Sequence, residues 1–177
     1  LGNAYDSAYA GDYTNYLMDC DDLDSRNHPW FEFTNDITVR DAWNLMLVAS
    51  SNDASAMLAR AAGGSEEAFV VQMQNTARAL GLKRSRFADA SGLDPGNIST
   101  AREVAALARA ALANLEIRES LRLPFMTFTP RGKGYRNVAN TNKLVVWSNQ
   151  GALEVFGGKT GHIEESRYNL VFAAGKD

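Results

Sequence analysis

Three features of this 177-residue sequence predict an α-rich α+β fold. Between positions 38 and 122, apolar residues recur at helical spacing in successive segments, several opened by a Ser or Thr cap and closed by glycine. Beyond position 122 that period gives way to short β-rich runs, the last two at about 154–160 and 168–174. The length and the 45% hydrophobic content suit one well-buried core. The expected organisation is an acidic, irregular segment over 1–36 followed by one domain over 37–177. Its helical lobe should span about 38–122 and its β-rich part about 123–177.

The first segment is rich in Tyr, Asp, Asn and Gly and weakly periodic, with one short helix expected around 13–19. Residues 1–37 hold eight acids and one base, although the whole chain has a net charge of only −3. Asp19, Asp21, Asp22 and Asp24 bunch together but lack the sixth-position glycine and twelfth-position glutamate of an EF-hand, so they read as a solvated acidic loop. The mild charge and the isolated patch Lys83-Arg84-Ser85-Arg86 argue against nucleic acid as a partner. Cys20, the single cysteine, has no internal disulfide partner, and no Cys/His cluster of zinc-site spacing is present. No apolar run reaches transmembrane length. Ala8-Tyr9-Ala10 looks like a cleavage site but no hydrophobic run precedes it, and a start at Leu1 is compatible with a mature product.

Thr38 with Asp41 predicts a capping box and a helix over about 39–49, apolar almost all round and therefore buried. Ser50-Ser51-Asn52 interrupts it, because Ser and Asn compete for backbone hydrogen bonds. A second helix is expected from near Asp53 through Ala54, Met57, Leu58 and Ala61 to Gly63-Gly64. Ser65, Glu66 and Glu67 open a third, to about Leu80, with Phe69, Val70, Met73, Ala77 and Leu80 on one face. Residues 82–98 read as a long connection with a turn at Asp94-Pro95-Gly96. Thr100 and Glu103 predict another capping box, before Val104, Leu107, Ala108, Ala111 and Leu112 at helical spacing. A short helix around 116–122, a β-hairpin at 125–129 and 134–138, a short helix at 143–147 and the two final strands complete the chain.

Two stretches carry chemistry. In Gly157-Gly158-Lys159-Thr160-Gly161-His162, glycines admit a close neighbour, Lys159 places a cation and Thr160 a hydroxyl donor on a strand. That composition suits an extended peptide ending in a carboxylate. A phosphate loop is excluded, since it needs glycine where the chain has Leu153, and a helix where it has the β-rich run after Gly161. The second stretch, Ser50-Ser51-Asn52, sits between two buried helices. By itself it reads either as helix caps or as a polar site.

Together the stretches resemble the serine D-alanyl-D-alanine carboxypeptidases, the low-molecular-weight penicillin-binding proteins. The series Ile37-Thr38-Val39-Arg40-Asp41, Ser50-Ser51-Asn52, Gly81-Leu82-Lys83, Ser91-Gly92-Leu93, Ser99-Thr100-Ala101-Arg102, Asn140-Thr141-Asn142 and Gly158-Lys159-Thr160-Gly161-His162 runs in family order over about residues 33–175. The resemblance implies a penicillin-binding, serine β-lactamase-like transpeptidase fold, incomplete here: a helical lobe beside a partial antiparallel sheet whose strands 1, 2 and 5 are missing or supplied by a second polypeptide. It implies hydrolysis of the terminal D-alanine of peptidoglycan stem peptides through an acyl-enzyme, without cofactor or metal, in the cell envelope, with β-lactams binding the complete enzyme. Ser50 would relay protons, Asn52 would bond the substrate backbone, and Lys159 would supply the positive field. Thr160 would take the terminal carboxylate, while Gly158, Gly161 and His162 would dock the peptide. His162 has no acid spaced to orient it as a general base.

The family's nucleophile motif, Ser-x-x-Lys, does not occur in these 177 residues. The chain is therefore expected to be either part of a larger enzyme or a non-catalytic relative that binds peptide or a protein partner. Class A β-lactamase fits less well, because this chain has Ser-Ser-Asn for Ser-Asp-Asn and lacks a Glu-x-x-Leu-Asn loop. Where the family often has Ala-Gly-Tyr, this chain has Ser166-Arg167-Tyr168, and Arg167 is expected to narrow the site.

Overall fold

The computed structural model describes residues 37–130, 134–147 and 154–175. The helix expected at 13–19 and the acidic loop lie outside the described residues. The order of elements is α1 (Val39–Val48), α2 (Asn52–Gly63), α3 (Glu66–Ala79), α4 (Ala101–Leu112), α5 (Leu115–Leu121), β1 (Phe125–Phe128), β2 (Arg136–Ala139), α6 (Lys143–Trp147), β3 (Glu154–Ile163) and β4 (Arg167–Gly175). This is the α+β arrangement read from the sequence.

Thr38 and Asp41 form the reciprocal capping box that starts α1. Its buried residues Ala42, Leu45 and Val48 join Ile37, Ala54, Met126 and Phe128 in the main core. A second cluster of Trp43, Ile117 and Leu121 fastens α1 to α5. There the buried Trp43 Nε1 donates to Ser120 Oγ at 3.1 Å, and Ser120 Oγ donates to Asn44 Oδ1 at 2.8 Å. The Trp43 N–H and the Ser120 hydroxyl brought inside here are thus matched.

Three expectations change in detail. On α3 only Ala77 is buried, and Leu80 is exposed. No residue of α4 is buried, because its apolar face looks onto an open cavity. Thr100 caps α4, but Glu103 does not return the bond. Its carboxylate accepts from the Arg84 N–H and from Ser85 Oγ instead, tying the 82–98 connection to the helix.

The strands form two antiparallel pairs, β1–β2 and β3–β4, rather than one sheet among the described residues. β3 carries a bulge between Val155 and Gly157. Gly157 lies at φ 139°, where a Cβ would meet Leu121 Cβ at 3.0 Å and Leu112 Cδ2 at 3.1 Å, so its bare backbone lets the helices approach β3.

Between β2 and α6 runs Asn140-Thr141-Asn142, whose two asparagines are 1% and 2% exposed. Asn140 Nδ2 donates to Leu123 O at 2.9 Å, and its Oδ1 accepts from Asn142 N at 2.8 Å. Asn142 Oδ1 caps α6 by accepting from Leu144 N at 3.1 Å. Replacing Asn140 by Ala strands these buried groups. The variant should lose about 2–3 kcal/mol of unfolding free energy in urea, the cost of unmatched buried polar atoms. A loss below about 0.5 kcal/mol would show that this connection is not a structural platform.

Candidate active site

The turn between α1 and α2 separates two duties within three residues. Ser51 is the N-cap of α2, its side chain accepting from Ala54 N at 3.2 Å. Its own N–H closes the end of α1 on Leu45 O at 3.1 Å. Neither Ser50 nor Asn52 is the cap, so their side chains are available to the cleft. Ser50 has φ 58°, a left-handed conformation uncommon for a residue with a Cβ. Strain of this kind gathers at sites where a side chain is aimed.

Lys159 comes to Ser50 from β3. Its Nζ donates to Ser50 Oγ at 2.6 Å and to Thr160 O at 3.0 Å, so residues 109 positions apart share one hydrogen bond. Behind Lys159 is an apolar cavity of about 350 Å³, walled by Trp43, Met46, Leu47, Leu107, Leu112 and Phe172 among others. Burial of the ammonium against this wall lowers its pKa from 10.5 to about 8.

In front of Lys159 lies a cleft of about 840 Å³ lined by Ser50, Asn52, Lys159, Thr160, Gly161 and His162, six of the seven site residues read from sequence. Gly158 faces elsewhere. It is buried, and a Cβ there would stand 2.6 Å from Val171 O and 2.7 Å from Asn142 Nδ2. It is a close-packing position that keeps β3 on the asparagine platform.

The other walls were not read as site residues in the sequence. Thr141 stands on the platform, its N–H donating to Val48 O at 3.0 Å and its hydroxyl 2.7 Å from that of Thr160. Ser91, Gly92 and Leu93 come from the 82–98 connection. Ser55 Oγ holds that connection by donating to Ala90 O at 2.7 Å. Asp89 gathers it by accepting from Ser91 Oγ, Asn97 Nδ2 and the N–H groups of Gly92 and Leu93. Burial raises the Asp89 pKa, but those four donors outweigh it and the net shift is downward. Tyr168, Asn169 and Leu170 come from β4, where Tyr168 pairs with His162, their ring centroids 4.3 Å apart. Arg167 does not line the cleft. It pairs with Glu164 at 3.7 Å at the hairpin turn, so the expected narrowing does not occur.

The arrangement joins a hydroxyl, a lysine poised close to neutrality, an amide and a carboxylate-sized pair of hydroxyls on one wall. It is suited to moving a proton beside a carboxylate-ended peptide. Among the described residues no cluster of three or more His, Cys, Asp or Glu could hold a metal.

Comparison with known proteins points the same way. The family described as D-alanyl-D-alanine carboxypeptidase, peptidase S11, matches residues 17–177. A D-alanyl-D-alanine endopeptidase of Haemophilus influenzae is 38% identical over 136 residues, covering 77% of this chain and 45% of the relative. The D-alanyl-D-alanine carboxypeptidase DacA of Escherichia coli K12 is 39% identical over 127 residues, 71% of this chain and 30% of the relative. The crystal structure of a D-alanyl-D-alanine carboxypeptidase from Mycobacterium tuberculosis superposes with a TM-score of 0.80 at 26% identity, over 98% of this chain and 64% of that one. The Streptomyces K15 DD-transpeptidase gives 0.72 at 26% identity, over 83% and 59%. The chain thus spans less than half the length of the two curated relatives named here.

Isotope-edited NMR of the lysine side chains checks the poise of Lys159. Its ammonium should titrate near pH 8, well below the ordinary lysine value of about 10.4. Since the folded pKa lies below the unfolded one, folding releases protons between these values, and stability should rise with pH across that window. Lys159→Met should remove that rise. A Lys159 that titrates with the surface lysines would mean the ammonium is not desolvated.

Proposed function

The chain belongs to the D-alanyl-D-alanine carboxypeptidase family, and we propose that the protein containing it hydrolyses the terminal D-alanine of peptidoglycan stem peptides. The observation that carries this reading is the 2.6 Å bond from Lys159 to Ser50 in a cleft shared with Asn52 and Thr160. A serine nucleophile attacks the carbonyl between the two D-alanines, forming an acyl ester and releasing D-alanine, and water then cleaves the ester. In this chain Ser50 passes the proton to the leaving amine, with Lys159 as its charged neighbour. Asn52 bonds the peptide backbone, Thr160 donates to the terminal carboxylate, and the strand at Gly161 and His162 docks the extended peptide.

The substrate places the protein at the cell envelope, and β-lactams, carrying a carboxylate beside a reactive amide, occupy the same cleft in the complete enzyme. No Ser among the 177 residues has Lys three positions on, so the acylated serine of this reading is not Ser50. Strands to flank the β3–β4 pair come from elsewhere in the protein or from a second polypeptide.

Two measurements test the reading. In the full-length protein, Ser50→Ala and Lys159→Met should each lower kcat/KM for D-alanine release by about 10²–10⁴-fold, with folding retained. Intact-mass spectrometry of the 177-residue chain after excess benzylpenicillin should show no penicilloyl adduct. An adduct mapped to Ser50 would make that serine the nucleophile and overturn the assignment of roles.

A further inference from the structure

We propose that Tyr168 is a specificity-determining residue of this cleft, its ring receiving a cationic side chain on the ligand residue third from the carboxyl end. The inference deepens the reading above and rests on its placing the carboxylate at Thr160 and the extended peptide along Gly161 and His162. A peptide held that way runs from its carboxyl end at Thr160 toward His162, so it lies antiparallel to β3. Strands paired in this way match residue for residue, and directly opposite side chains share one face of the sheet. With its last residue opposite Thr160, the peptide brings the third from the end opposite His162.

The β3–β4 register sets Tyr168 opposite His162 from the other side. The two rings meet with centroids 4.3 Å apart and planes tilted by 36°. Both residues line the cleft, yet Tyr168 is 86% exposed, so an aromatic face stands open where the third side chain arrives. Two strand spacings, about 10 Å, separate the peptide backbone from β4. A four-carbon stem from one side and a tyrosine ring from the other close that span between them. The stem packs over His162 and the ammonium comes to rest on the Tyr168 face, which carries the negative side of the ring quadrupole. The turn beyond, residues 164–166, has the right sign of charge. Arg167 pairs with Glu164 at 3.7 Å, and Glu165, exposed and without an ion pair among the described residues, leaves the turn in negative excess. An acylated amine has no charge for the ring or the turn to attract. Tyr168 should therefore favour stem peptides whose third side chain keeps its amine free over those whose amine is already acylated, as it is in a cross-link.

The test compares Nα-acetyl-L-lysyl-D-alanyl-D-alanine with the same peptide acetylated at its side-chain amine, by D-alanine release from the full-length protein. Wild type should favour the free amine in kcat/KM. Tyr168→Leu, which keeps apolar bulk and removes the ring, should cut that preference by about two- to fivefold, the size of an exposed cation–ring contact. Tyr168→Phe should keep it, and Glu165→Gln should lower it by about twofold, as a screened surface charge does. A melting temperature within a degree or two of wild type shows the fold is intact. Should the leucine variant melt early, Tyr168→Thr, a strand former without a ring, gives the same comparison. If wild type hydrolyses both peptides equally well, or the preference survives in the ringless variants, this inference fails and the proposed function stands. If wild type releases D-alanine from neither peptide, the proposed function fails and the inference falls with it.

Discussion

A lysine ammonium set against an apolar wall has to be held by oxygen atoms, and most of this architecture follows from that need. Among the described residues, Lys159 is bonded to the Ser50 hydroxyl and the Thr160 carbonyl, which are neutral acceptors. Neutral acceptors recover part of the lost hydration but not the full Coulomb compensation of a carboxylate, so the proton is held less firmly. The result is a pKa of about 8. A carboxylate partner would have pushed the value the other way. The choice of a hydroxyl therefore sets the chemistry as much as the choice of lysine does.

Keeping that hydroxyl in place accounts for features that look unrelated along the chain. Ser50 sits in a left-handed conformation because Ser51 takes over the cap of α2 and Leu45 O ends α1. Gly158 has no side chain because Val171 O and Asn142 occupy the space where one would lie. The bulge and Gly157 let Leu112 and Leu121 press on β3 from behind. Each device brings backbone close to backbone, and together they fix β3 against the end of α1 to within a hydrogen-bond length.

Much of this was legible in the sequence where the signal is local. The Thr38 capping box, the Ser65 cap and the short helix at 143–147 appear where cap chemistry and periodicity place them. The convergence of Ser50 with Lys159 was legible only through the resemblance, since nothing local links positions 109 apart. The sequence did not reveal that Ser51 is the cap, because three consecutive polar residues offer equivalent hydroxyl or amide groups. Nor did it reveal the wall at Ser91-Gly92-Leu93. That stretch has no periodicity and owes its shape to four donors converging on Asp89. Glu103 was misread for a related reason. A carboxylate at the third helical position can return the cap's bond or serve a neighbouring loop, and the Arg84 N–H and Ser85 hydroxyl compete for it from outside the helix.

The cavity behind Lys159 and the cleft in front of it do different work on one side chain. The cavity is lined by carbon and strips water from the ammonium. The cleft brings hydroxyl and amide groups of Ser50, Asn52, Thr141, Thr160 and Asn169 to the other side of the lysine, beside apolar wall. With a pKa of about 8, roughly nine in ten copies are still cationic at pH 7. The group thus keeps the charge that attracts a carboxylate while sitting about one unit from giving up its proton. General acid–base transfer is most effective when the pKa lies close to the working pH. A carboxylate arriving at Thr160 would raise that pKa again, since an anion favours the protonated lysine. Binding of an anion would strengthen the cation, and its departure would weaken it. The same lysine is therefore set to hold its proton more tightly with ligand bound and to release it more readily once the cleft is empty.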